Sequence, residues 1–162
     1  MTRVSLLVGT TKGSFLLDGD AARDRWVVRG PGCEGWPVSD ISVEPGTEAL
    51  LAGAASPWYG PAVWRSDDLG ATWTHSSEGL TYGDDGEKLK AIWNVTADRH
   101  GNVYAGVEPA GLFRSRDGGR TWSHVEGLTK HPTRPHWTPG NGGLCLHSIV
   151  PHPTDQIGRA HV

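Results

Sequence analysis

The 162 residues, 36 % hydrophobic and 20 % charged, suit one ordinary domain and exclude a chain kept disordered by excess charge. Twenty-three glycines and 11 prolines are spread too evenly for a helical bundle, and a net charge of −3 with interspersed signs gives no electrostatic case for nucleic acid or an anionic membrane. No apolar run approaches the roughly 18 residues of a membrane span, residues 1–15 lack a signal peptide's pattern, and two cysteines build no disulfide framework, so a cytoplasmic location is expected.

The elements come in repeats. Val4 to Val8 is β-prone and stops at Gly9; Ser14–Leu17 and Trp26–Val28 follow, forming a first copy over about 4–30. A second copy over 40–80 carries predicted strands at 40–44, 49–54, 62–67 and 72–76. The third, over 92–128, carries strands at 92–97, 102–107, 111–116 and 121–125. A fourth opens with Leu146-His147-Ser148-Ile149-Val150 and runs to about 155. Residues 157–162 read like the one-frame translation of a short-read sequencing adapter. On that reading the domain is 1–155, residues 156–162 are a non-native tail, and the gene is cut at its 3′ end.

Residues 62–75 and 111–124 share seven of fourteen positions at an offset of 49, and Glu-Gly-Leu closes both copies, at 78–80 and 126–128. Four short strands per unit with a period in the forties is the arithmetic of a propeller blade. The expected fold is therefore all-β: a β-propeller fragment of four-stranded antiparallel blades, two of them full and the first and last partial. The first copy shows three strands, so its innermost one is expected from beyond the cut.

Ser66-Asp67-Asp68-Leu69-Gly70-Ala71-Thr72-Trp73 and Ser115-Arg116-Asp117-Gly118-Gly119-Arg120-Thr121-Trp122 both fit S-x-D-x-G-x-T-W. This resembles the Asp box, or bacterial neuraminidase repeat, found in sialidases, other glycoside-hydrolase-like propellers and sortilin-type receptors. In a box, Asp68 or Asp117 can accept several N–H bonds across a tight turn, and Gly70 or Gly119 supplies a positive φ. Thr72-Trp73 and Thr121-Trp122 then start the outermost strand, with the indole covering the blade's flank. The resemblance implies that Ser66, Ser115 and the rest of the box are structural, away from any active site.

Functional candidates fall on the opposite face, where long loops on a rigid scaffold gather. Arg134 suits a carboxylate or phosphate, and Trp137, Trp36 and Trp58 offer stacking faces, with His131 and Tyr59 beside them. The wall is expected from loops 30–39, 54–61 and 129–147, with Glu108 opening beside Arg134 and Trp137. Trp26, Trp64, Trp73, Trp93 and Trp122 are expected in the core. His131, His136, Cys145, His147 and His152 match no structural zinc spacing, so no metal and no cofactor are expected. A sialidase would need an arginine triad and a Tyr–Glu pair, and no residue here can be carried over as catalytic; Glu108 is the best acid/base candidate. The expected function is a scaffold binding a small molecule, glycan or partner, with glycoside hydrolysis as the alternative. The intact protein is expected to be a monomer, and the truncated chain prone to aggregate through open sheet edges.

Overall fold

Turn residues cut the chain into short strands, and each strand pairs with the next. The computed structural model describes residues 4–84, 86–140 and 142–153, and the backbone of 158–161. Strands β1 (Val4–Thr10), β2 (Gly13–Gly19) and β3 (Trp26–Gly32) form a three-stranded antiparallel sheet. A four-stranded meander follows: β4 (Val38–Val43), β5 (Leu50–Ser56), β6 (Gly60–Ser66) and β7 (Thr74–Ser76). The third sheet repeats it with β8 (Ala91–Ala97), β9 (Val103–Glu108), β10 (Gly111–Ser115) and β11 (Ser123–His124).

Strand β12 (Ser148–Pro151) pairs with β13 (Gly158–His161), so part of the segment set aside as a tail is in register with the fourth repeat. Residues 154–157 and 162 lie outside the described residues, as do Asp85 and Asn141. Among the described residues, helix is limited to α1 (Glu126–Thr129) and a 3-10 turn at Arg134–His136.

Packing explains the composition of the strands. The second sheet lies between the first and the third, so β5 is covered on both faces and reads Leu-Leu-Ala-Gly-Ala-Ala-Ser. Gly53 is required here, because a Cβ would come within 2.7 Å of Ile92 Cγ2 on β8. The main core joins Leu51, Val63 and Leu80 to Ile92, Val95, Val103, Val107, Phe113 and Trp122. Strand β1 packs on β4 as β5 packs on β8. Its counterpart residues are nonetheless open: Leu6 is 46 % exposed where Leu50 is 2 % exposed. The first sheet has no counterpart of β4 among the described residues.

Two equivalent bulges set the first strands. Register shifts lie between Val38 and Asp40 on β4 and between Ile92 and Asn94 on β8. A bulged residue leaves the ladder and re-aims its side chain. Trp93 is that residue on β8, and it is 42 % exposed rather than in the core. Trp26, at the edge of β3, is also outside the core at 36 % exposure. On β4, Ser39 uses its bulge to donate to the carbonyls of Ile92 and Gly53. Asp40 Oδ2 then accepts from the Val95 amide at 2.8 Å and Asn94 Nδ2 at 2.7 Å, tying the two strands across the sheet boundary.

Candidate functional site

The two boxes share one circuit. Ser66 Oγ donates to Asp68 Oδ1 at 2.8 Å and accepts from the Gly70 amide at 2.7 Å. The Thr72 amide and hydroxyl donate to the two oxygens of Asp68 at 2.8 and 2.6 Å. Ser115, Asp117, Gly119 and Thr121 repeat each of these bonds at 2.7–2.9 Å. Gly70 and Gly119 take φ of +84° and +90°, which a side chain would strain. Thr72, Trp73, Thr121 and Trp122 belong to the turn, which is why the outer strands start later than expected and are only three and two residues long. Trp122 reaches back into the core shared with the second sheet, and Trp73 lies against Gly32 of β3.

Hydrogen bonds to the charged form hold both box carboxylates below the usual range. The bond from the Thr72 hydroxyl leads in taking Asp68 down to about 2, and that from the Ser115 hydroxyl leads in lowering Asp117 further. A depressed folded pKa contributes stability that is present above the unfolded value, near 3.9, and is lost as pH falls through the folded value. The melting temperature is therefore expected to drop between about pH 4 and about pH 2. In an Asp68→Asn/Asp117→Asn double variant that slope should flatten, at the cost of a lower plateau near neutral pH. Melting curves across the acid range check both.

On the opposite ends of the strands, Thr11, Pro37, Ala55, Ile92 and Trp93 line an apolar concavity of about 260 Å³ where the three sheets meet. Beside it, Glu108 at the end of β9 accepts from Trp93 Nε1 at 3.0 Å and faces Lys90 Nζ at 3.8 Å. Trp58 and Tyr59, in the β5–β6 turn, are 87 % and 79 % exposed. Tyr59 also borders a second, more polar concavity of about 400 Å³ with Thr81, Asp84 and Lys88. Trp36 is not on the surface: at 8 % exposure it packs with Val38, Ala54 and Trp64, and its ring stacks on Tyr59 at 5.9 Å.

The loop after α1 closes on itself. Thr133 Oγ1 accepts from Trp137 Nε1 at 2.9 Å and bonds His131 Nδ1 at 2.7 Å. His131 stacks on the Trp137 ring at 6.0 Å, and the Arg134 guanidinium lies 5.7 Å from it on a cation–π contact. Arg134 also acts on Tyr82, whose hydroxyl donates to the Pro109 carbonyl and whose pKa burial pushes up to about 12. Among the described residues, no hydrogen bond or ion pair joins Arg134 or Trp137 to Glu108, and none of the three lines either concavity above.

The residue that expectation missed is Trp93, together with Lys90. A bulge has no signature in hydrophobic alternation, although Trp93 falls one residue before the repeat-equivalent of Asp40, where β4 bulges too. Among the described residues no cluster of three His, Cys, Asp or Glu side chains could hold a metal. No protein-family model matches the sequence, and no curated protein matches it.

Proposed function

We propose that the sheets are blades of an Asp-box β-propeller and that the chain is a binding scaffold whose ligand enters between their first strands. The repeated four-strand meander, the adjacency of β4 to β8 and of β8 to β12, and the duplicated box support the architecture. One observation carries the functional part. The sheets meet around an apolar concavity edged by an exposed indole that is locked to a carboxylate, Trp93 on Glu108. An aromatic face beside a polar acceptor suits a sugar or another ring bearing hydroxyls. Trp58 on the neighbouring turn would add a second face, and Arg134 with Trp137 would lie on a separate rim.

Glu108 is occupied by an indole and an ammonium, whereas glycoside hydrolysis in most families uses a second carboxylate across the scissile bond. Binding without turnover is therefore the expected outcome. The test is calorimetric titration with a panel of neutral and acidic methyl glycosides, alongside release of phenol from the matching aryl glycosides. Binding should be saturable and should fall by about tenfold or more in Trp93→Ala, a substitution at a part-exposed residue that should leave the melting temperature of the free protein nearly unchanged. Phenol release that disappears in Glu108→Gln would replace this reading with an enzymatic one. No binding by any member of the panel would remove the glycan ligand.

A further inference from the structure

We propose that the third sheet binds an oxyanion, a phosphate or sulfate group, between Arg114 and Arg116, on the box side and away from the concavity at Trp93. The inference comes from comparing one position in two repeats. In the second sheet, Arg65 is fully engaged: it donates to Glu44 Oε2 at 2.8 Å, to Asp67 Oδ1 at 2.8 Å and to the Gly118 carbonyl at 3.3 Å. Arg114 occupies the same place in the third sheet, between Tyr104 and Ser123 on the flanking strands.

Neither carboxylate partner is available to it. The counterpart of Glu44 is Asp98, whose oxygens are taken by the Asn102 side chain at 2.8 Å, the amides of His100 and Asn102, and the Tyr104 hydroxyl. The counterpart of Asp67 is Arg116, so an ion pair in one repeat has become a pair of like charges in the next. Among the described residues, neither guanidinium makes a hydrogen bond or ion pair.

Arg114 and Arg116 instead line one concavity of about 320 Å³ with Asp117, Thr121 and Ser123. The carboxylate of Asp117 offsets part of their charge but pairs with neither guanidinium. Its oxygens are turned into the box, taking the Ser115 and Thr121 hydroxyls and the Arg120 and Thr121 amides. Two arginines lining one space, with Ser123 on its wall, can present the donors that a tetrahedral oxyanion accepts. Bound there, it would also relieve the repulsion between the two arginines.

The test uses the whole chain, titrated with sodium sulfate and sodium phosphate against sodium chloride at matched ionic strength. The Nε–Hε resonances of Arg114 and Arg116 should shift saturably with sulfate and phosphate and not with chloride. The melting temperature should rise with the same midpoint. Arg116→Asp restores the pairing that Arg65 enjoys, so it should fold at least as well as the parent while weakening oxyanion binding by about tenfold or more. Arg116→Gln is the second variant and should also lose affinity. Equal shifts with chloride, or oxyanion binding unchanged in both variants, would overturn the proposal. Because Trp93 is untouched, glycan binding should persist in either variant, which separates this site from the one proposed above.

Discussion

Phe113→Ala is expected to lower stability by about 3–5 kcal/mol, the range for removing a buried aromatic ring. Phe113 is 0 % exposed and is the largest fully buried side chain among the described residues. Its ring lies 5.5 Å from Tyr82 and stacks on His124 at 5.1 Å, so neighbours on both sides would lose contact and could not close the gap without moving β11 or the 82 loop. In a chain of this length each kcal/mol shifts the melting temperature by about 2–4 °C, which predicts a fall of about 6–20 °C. Calorimetry measures it. A loss below about 1 kcal/mol would mean that the site collapses freely, contrary to a packed core. The equivalent residue of the second sheet, Trp64, lies 4.4 Å from His75 with the rings tilted by 32°, so the aromatic–histidine pair is itself repeated. Trp64 sits nearer the surface, and its truncation should cost less.

Gly79→Ala and Gly127→Ala should have opposite outcomes although both sit in Glu-Gly-Leu. Gly79 has φ +81°, and a Cβ there would collide with the Trp122 backbone. The segment is pinned by a 2.9 Å bond from the Trp122 amide to the Glu78 carbonyl, so it cannot simply retreat. Left-handed strain of about 1–2 kcal/mol and overpacking of about 1–3 kcal/mol together predict a loss of about 2–5 kcal/mol. Gly127 lies in α1 with nothing within 4 Å of its would-be Cβ. Alanine there should be neutral or should stabilise by up to about 1 kcal/mol. Denaturant titration of the two variants reads the contrast directly, and equal effects would mean that the two tripeptides share one environment.

The same tripeptides mark the limit of what the sequence discloses. Strand positions were legible to within a few residues because alternation and turn chemistry are local, and so was the box, whose bonds all close within five residues. The fate of Glu-Gly-Leu was not. Glu78 gives its carbonyl to the next sheet and Leu80 enters the core, whereas Glu126 gives its carbonyl to Lys130 and starts a helix. Tertiary partners decide between them. The candidate site was half legible for a related reason. Its loops could be named, but Trp36 is drawn inward by Val38 and Trp64, and Trp93 is turned outward by a one-residue bulge. Arg134 lies over the ring of Trp137, two positions beyond a proline, instead of reaching Glu108.

The fastening of each box by the preceding repeat gives the array a direction. Arg29 of β3 donates to the Leu69 carbonyl in the second sheet's box at 2.8 Å, and Arg65 of β6 donates to the equivalent Gly118 carbonyl in the third. Ser76 Oγ adds a 2.6 Å bond to the Arg120 carbonyl. Neither the second box nor the third is thus self-sufficient: the first repeat supplies a latch to the second, and the second supplies one to the third. A duplication that copies a whole repeat inserts one latch and one catch together, and lengthens the array without leaving either idle. An exchange that swaps a box alone between unrelated repeats separates them, and the grafted turn would hold its internal circuit while losing its anchor to the neighbour.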